Sequence, residues 1–227
     1  MFRFAGGEAS VAAQYQNAGI QSRSGTGWAC IVPYYNEAHM IERCLTSLAR
    51  QTALPFVVLV DNGSTDNGRT VAESFCAANG LRFISLIEAS PGKVAALAAG
   101  LAATSSHFVA TCDADTYYPP EYLMLAEQLL TSKKAVAAGA MLVTNPQARL
   151  QSGLEKLHWR FAAFLAPWQC HTGGAGQVFL TQALREAGGF DTAKWNFVLE
   201  DHEVIGRIGL LGRISEPDRK RSWVISA

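Results

Sequence analysis

From Trp28 to Val143, short apolar runs alternate with helical segments, and that alternation limits the chain to few folds. The runs are Trp28 to Val32, Pro55 to Val60, Leu81 to Ile87, His107 to Cys112 and Ala135 to Val143. Each is short, aliphatic or β-branched, and bounded by turn-forming residues. Between the first two, Ile41, Cys44, Leu45 and Leu48 recur at helical spacing within Glu37 to Gln51. After the second, Gly63 supplies a tight turn, and Ser64 or Thr65 is expected to cap a helix that Asn79-Gly80 closes. Pro91-Gly92-Lys93 opens an Ala-rich helix ending near Gly100, and a fourth helix runs from about Pro120 to Thr131. Strands without polar alternation are buried on both faces. The pattern therefore predicts an α/β fold in three layers, with a mainly parallel central sheet between helices.

Composition narrows the function classes. Only 17% of the 227 residues are charged, against a globular average of about 25%, as expected of a well-buried sheet. Lys+Arg is 19 and Asp+Glu is 19, so there is no basic excess of the kind that nucleic-acid binders carry. The five cysteines include no Cys-x-x-Cys pair and fall mostly in apolar patterns, which predicts buried free thiols. No apolar stretch reaches the roughly 18 residues of a membrane span, and the N-terminus lacks the apolar region of a signal peptide. The chain reads as cytoplasmic, with peripheral membrane association left open. Residues 1–27 read as a weakly structured extension with a short helix from Glu8 to Asn17, and 28–227 as one domain.

The strand at His107 to Cys112 runs into Asp113-Ala114-Asp115, and Pro119-Pro120 stops its continuation. On an extended chain, residues i and i+2 point the same way, so the two carboxylates are expected to converge at the carboxyl end of a strand. Open α/β sheets bind ligands there. Paired hard oxygen donors favour Mg²⁺ or Mn²⁺, which in turn holds a diphosphate. Lys93, at a helix N-terminus, is placed either to meet a phosphate or to lie on a solvated face. The turn after Val32 carries no Gly-x-Gly-x-x-Gly, which argues against a dinucleotide-dependent oxidoreductase, and no Gly-rich loop of the nucleotidyltransferase kind.

Beyond Pro146 the pattern changes. Ala148 to Pro167 is a helical stretch with an aromatic stripe that serves either the core or an acceptor surface. A Gly-rich loop, His171 to Gly176, precedes a strand at Gln177 to Leu180. Thr181 is expected to cap a short helix ending at Gly188-Gly189. Glu200-Asp201 starts another helix reaching Leu211, and Gly212 to Glu216 and Ser222 to Ser226 read as strands.

These pieces stand in a telling order. They are Val32-Pro33-Tyr34-Tyr35-Asn36-Glu37, Val60-Asp61-Asn62-Gly63-Ser64-Thr65-Asp66, Gly92-Lys93, Asp113-Ala114-Asp115 with Pro119-Pro120, Gly173-Gly174, Gly188-Gly189-Phe190-Asp191 and Glu200-Asp201. Together they resemble the family 2 glycosyltransferases of GT-A fold, over roughly Trp28 to Gly212. The resemblance implies a Rossmann-like GT-A domain with a nucleotide-binding half at about 28–118 and an acceptor and catalytic half at about 119–227. It implies an inverting transfer from a nucleoside-diphosphate sugar, UDP-sugars favoured, to a carbohydrate, lipid-linked or other hydroxyl acceptor.

The resemblance also implies residue roles. Pro33 or Tyr35 would line the base, with Glu37 nearby and Asp61 accepting hydrogen bonds from it. Asp113 would contact the ribose or the metal, Asp115 would bind Mn²⁺ or Mg²⁺, and Lys93 would contact the nucleotide. Asp201 would be the catalytic base, with Gly173, Gly174 and Glu200 at the sugar or acceptor pocket. The Gln-x-x-Arg-Trp motif of the processive members is missing; Arg219-Lys220-Arg221-Ser222-Trp223 is spaced differently, so the expected transfer is non-processive. A nucleotidyltransferase and a non-catalytic nucleotide-sugar-binding module are the alternatives.

Overall fold

The computed structural model describes residues 27–132, 134–139, 141–142, 176–193, 200–215 and 224–225. In chain order these form β1 (Trp28–Tyr34), α1 (Ile41–Ala49), β2 (Phe56–Asp61), α2 (Gly68–Ala78), β3 (Phe83–Ile87), α3 (Lys93–Ala102), β4 (Phe108–Thr111) and α4 (Tyr122–Ser132). They continue as β5 (Ala135–Gly139), β6 (Met141–Leu142), β7 (Gln177–Leu180), α5 (Thr181–Glu186), α6 (Glu200–Ile208), β8 (Arg213–Ser215) and β9 (Val224–Ile225). The helices expected at Glu8 to Asn17 and Ala148 to Pro167 lie outside the described residues, as do Cys170-His171, Gly173, Gly174 and Arg219-Lys220-Arg221.

The central sheet has seven strands in the order β3-β2-β1-β4-β7-β5-β8. All its pairings are parallel except those of β7, which runs antiparallel to both β4 and β5. Alternation along each strand feeds two cores. Cys30, Val32, Val57 and Leu59 point to one face, packed against Leu45 and Leu48 of α1, Ala72 and Cys76 of α2, and Leu123 and Ala126 of α4. Ile31, Val58, Val60 and Val109 point to the other, against Val94 and Leu97 of α3, Leu184 of α5 and Val204 and Ile208 of α6. Both faces are thus covered, which is why these strands read as unbroken apolar runs. The described cysteines, Cys30, Cys44, Cys76 and Cys112, are all buried and free, as expected. Burial pushes the Cys44 and Cys112 thiols well above their ordinary range, so neither is a ready nucleophile.

Several local expectations are corrected. Pro33 does not end β1, which runs on to Tyr34 and pairs Pro33 with Val60. The Ile31 carbonyl accepts from Cys112 N–H, so by alternation the missing N–H of Pro33 faces the same side, beyond the end of β4. The strand expected from Ala135 to Val143 is divided, and β6 leaves the main sheet to pair with β9. Thr181 is the first residue of α5 rather than its cap, and its N–H bonds the His107 carbonyl. The helix end at Asn79-Gly80 is as expected. Gly80 has φ 67°, and Leu81 N–H reaches back to the Cys76 carbonyl, a Schellman closure.

Ser64 and Thr65 do not cap α2, whose first turn follows Asn67 without a side-chain cap. They belong instead to a clasp between the β1–α1 and β2–α2 loops. Asn36, at φ 56°, donates its N–H to Ser64 Oγ at 3.0 Å. Its side-chain Oδ1 accepts from Thr65 N–H at 2.8 Å and Asp66 N–H at 3.3 Å. Asp66 returns the bond through Oδ2 to Ala38 N–H and through Oδ1 to Gly68 N–H, each at 2.9 Å. The left-handed backbone that Asn tolerates is what turns both its donor and its acceptor toward the neighbouring loop.

Two outcomes are expected. Gly100 of α3 lies directly over β1, where an added Cβ would collide with Ile31 Cγ2 and sit 3.3 Å from Val60 Cγ2. Overpacking costs about 1–3 kcal/mol, so Gly100→Val should lower the unfolding free energy by that amount and the urea midpoint with it; an unchanged midpoint would contradict this contact. The N–H donors of Ala38 and Gly68 hold the Asp66 carboxyl below its ordinary value of 3.8. A lowered folded-state pKa favours the folded protein above the unfolded value, and that contribution is lost as pH falls through the lowered one. Asp66→Asn should therefore flatten the decline in stability between about pH 5 and pH 2, measured by chemical denaturation. Parallel acid profiles for the two proteins would exclude the clasp as a source of that decline.

Candidate active site

The chain runs from β1 outward to β2 and β3, then returns to place β4 on the other side of β1. Strand order reverses between β1 and β4, and the loops leaving their carboxyl ends diverge, which opens a crevice. A cavity of about 220 Å³ lies there. Six nominated residues line it: Pro33 near the end of β1, Tyr35 and Glu37 after it, Lys93 at the start of α3, and Asp113 and Asp115 after β4. Tyr35 is 58% exposed, so it belongs to the open side of the cavity.

The two carboxylates reach the cavity by a different route from the one expected. β4 ends at Thr111, and Asp113 to Thr116 form a turn closed by Thr116 N–H on the Asp113 carbonyl at 3.2 Å. The i, i+2 rule for extended chain therefore does not apply; it is the turn that brings Asp113 and Asp115 to the same cavity. Asp113 Oδ1 is ion-paired with Lys93 Nζ at 2.7 Å. Asp115 Oδ1 accepts from Thr116 Oγ1 at 3.1 Å, and Arg43 Nη1 of α1 approaches the Asp115 carbonyl at 3.4 Å.

A buried polar rod supports this turn from behind. Asp113 N–H donates to Tyr118 Oη at 2.8 Å. Tyr118 N–H donates to Ser47 Oγ, and Gln51 Nε2 bonds the Pro119 carbonyl at 2.7 Å while its Oε1 accepts from Leu123 N–H. Burial pushes the Tyr118 phenol far above its ordinary range, so it stays neutral and holds the Asp113 backbone as a fixed dipole. Tyr34, also lining the cavity, is kept neutral by burial and by the nearby Asp61 charge.

Asp61 itself is not among the lining residues. It is buried, with Oδ1 accepting from Ser64 N–H at 2.8 Å. The residue that faces the cavity at the end of β2 is Asn62, which the sequence reading passed over. Asn62 Nδ2 bonds the carbonyls of Glu88 and Ser90, and its Oδ1 accepts from Gly92 N–H at 2.7 Å. It thereby fixes the loop that delivers Lys93. Gly92, at φ 114°, turns that loop into α3, whose first-turn N–H groups have no partner within the helix. The signal for Asn62 was present in the sequence, since a polar residue with two donors and an acceptor sat one position past the end of an apolar strand.

Glu200 and Asp201 stand in the first turn of α6, the helix packed on the α3 face of the sheet. Two arginines tie that layer together. Arg207 of α6 holds Glu203 through Nε and Nη2 and donates to the Ala187 and Gly189 carbonyls at the end of α5. Arg185 of α5 in turn donates to the Leu101 and Thr104 carbonyls at the end of α3. Arginine at a helix C-terminus satisfies orphaned carbonyls and complements the dipole. The helix bearing Asp201 and the helix bearing Lys93 are thus linked by successive end-caps.

The donor set suits Mg²⁺ or Mn²⁺ only in part. Asp113 and Asp115 are hard oxygen donors, yet among the described residues no three His, Cys, Asp or Glu side chains are grouped to hold an ion. A site of two carboxylates is the kind completed by substrate phosphates and water. Among the described residues, no helix is long and apolar enough to cross a membrane.

Comparison with known proteins bears on the fold and the family. An uncharacterised glycosyltransferase of Escherichia coli K12, YaiP, is 28% identical over 174 residues, covering 72% of this chain and 44% of the relative. The undecaprenyl-phosphate 4-deoxy-4-formamido-L-arabinose transferase of Pseudomonas fluorescens SBW25 is 33% identical over 113 residues, covering 47% of this chain and 33% of the relative. The chain thus spans less than half the length of these two relatives. Among solved structures, the Pyrobaculum calidifontis mannosyltransferase PcManGT, in complex with GDP-Man and Mn²⁺, superposes with a TM-score of 0.70 at 20% identity. That match covers 97% of this chain and 65% of the other. S. aureus TarS in complex with UDP gives 0.66 at 20% identity, covering 88% and 60%. These likenesses establish the GT-A fold. Residues 29–178 match the family described as glycosyl transferase family 2, and the chain belongs to that family.

Proposed function

We propose that this chain transfers a sugar from a nucleoside-diphosphate donor, UDP-sugars favoured, to a carbohydrate, lipid-linked or other hydroxyl acceptor, with inversion at the anomeric carbon and without processivity. One observation carries the reading. Asp113, Asp115 and Lys93 line the same cavity as the exposed ring of Tyr35, at the point where strand order reverses. Two carboxylates and an ammonium suit a metal-bound diphosphate, and an aromatic face suits a base. Such stacking contributes about 1–3 kcal/mol per base in other nucleotide-binding proteins. Asp61, at the end of β2, is the acceptor for the base, and Asn62 fixes the loop that carries Lys93.

In the transfer, Asp201 takes the proton of the acceptor hydroxyl as its oxygen forms a bond to the anomeric carbon. The bond from that carbon to the diphosphate oxygen breaks, and its electron pair leaves with the nucleotide. A bound Mn²⁺ or Mg²⁺ would supply Lewis-acid neutralisation of the departing diphosphate. Lys93 and the first turn of α3 place further positive potential beside it. A single displacement assisted by one base inverts the configuration. The solved structures bound to UDP or to GDP-Man and Mn²⁺ are in keeping with this donor class.

The test is calorimetric titration of UDP and GDP, with Mn²⁺ and then with EDTA, followed by turnover with the matching sugar nucleotides. Asp115→Ala should abolish metal-dependent nucleotide binding and transfer together. Asp201→Asn should retain binding and lose about 10²–10⁴-fold in kcat, the usual contribution of a general base. Transfer at the parent rate by Asp201→Asn would remove it as the base. Release of pyrophosphate from a nucleoside triphosphate plus a sugar phosphate would instead make the chain a nucleotidyltransferase.

A further inference from the structure

Within that reading, on which the following rests, we infer that Lys93 occupies Asp113 in place of a divalent cation, so that the ion and the nucleoside diphosphate enter as a coupled pair through an exchange of ionic partners. The Lys93 ammonium lies 2.7 Å from Asp113 Oδ1, inside the wall of the cavity, with side chains 34% and 27% exposed. Of the two carboxylates offered to an ion, one is therefore already neutralised. Among the described residues no third acidic, His or Cys side chain joins them as a metal-binding group. A cation arriving alone must displace an internal ammonium and finds few protein ligands in return. A diphosphate arriving alone meets Lys93 only at the cost of leaving Asp113 unpaired beside its own negative charge.

Arriving together, the two ligands remove both penalties. Lys93 is the first residue of α3, next to N–H groups that have no partner within the helix, so a diphosphate is a stronger counter-ion there than one carboxylate. Once the ammonium pairs with phosphate, Asp113 is released to the cation, which takes its remaining ligands from phosphate oxygens and water. Two ion pairs are exchanged for two. The loop carrying Lys93 keeps its place through the Asn62 bonds to Glu88, Ser90 and Gly92, so the exchange needs only side-chain movement. Coupling of this kind is reciprocal: whatever factor the nucleotide adds to ion affinity, the ion adds to nucleotide affinity.

The experiment measures Mn²⁺ binding by paramagnetic resonance without nucleotide, and UDP or GDP binding by calorimetry in EDTA and in Mn²⁺. It compares the parent chain with Lys93→Met and Lys93→Arg. Lys93→Met should bind Mn²⁺ alone about two- to fivefold more tightly, the range expected from removing a partly exposed ion pair. It should bind metal-free nucleotide more weakly, and its coupling factor should shrink. Lys93→Arg, which keeps the charge, should stay near the parent in Mn²⁺ affinity. Unchanged Mn²⁺ affinity in Lys93→Met, or a loss of both affinities in a protein with parental circular dichroism and Tm, would overturn the exchange. If the parent itself shows no metal-dependent nucleotide binding, the transferase reading falls with it; if the parent binds and only the Lys93→Met prediction fails, the transferase reading stands.

Discussion

Burial of the sheet on both faces is the constraint from which the rest of the structure follows. Every residue of β1 is buried, and α3 approaches so closely that only glycine fits at position 100 above Ile31. Only at its carboxyl end, through Pro33 and Tyr34, does this strand reach the cavity. Polar function is thereby displaced to the loops at the strand ends, and the reversal of order between β1 and β4 selects which loops part to form a crevice.

Loops at such an edge carry backbone N–H groups that neither the sheet nor the helices can satisfy. Here they are met by a few side chains. Asn36 and Asp66 bind the β1–α1 loop to the β2–α2 loop, Asn62 holds the approach to α3, and Gln51 and Tyr118 brace the turn after β4. These five hold up the cavity from behind or from its flank. Lys93, Asp113, Asp115 and Tyr35 are left facing the space itself. On the opposite face, Arg207 and Arg185 extend the same logic to helix ends, joining α6 to α5 and α5 to α3.

Much of the fold was legible because periodicity reports burial directly. Strands within β1 to β4 and the helices after them fall close to where apolar runs and 3.6-residue spacing put them, and Gly80 closes α2 in the left-handed conformation that Asn79-Gly80 foretold. The site was legible in its membership and less so in its geometry. Asp113 and Asp115 do share a cavity, but through a turn, because β4 is shorter than its apolar run. Ser64 looked like a helix cap because capping and loop clasping use the same hydroxyl chemistry; its partner, Asn36, lies 28 residues away. Asp61, whose role the family resemblance implies, is buried at the end of β2, while Asn62 one position on lines the cavity.

The sequence by itself determined the layers of this protein: buried strands, amphipathic helices between them, and turns rich in Asp, Asn and Gly at the carboxyl edge. It could do so because a residue's burial leaves its mark at fixed local spacing. Only the tertiary structure decided that β7 enters antiparallel between β4 and β5, and that the strand expected from Ala135 to Val143 divides between two sheets. It also decided that Lys93 pairs with Asp113. Those outcomes depend on which distant segments become neighbours. Local periodicity does not encode that choice, because a strand buried on both faces has the same apolar pattern whichever strand lies beside it.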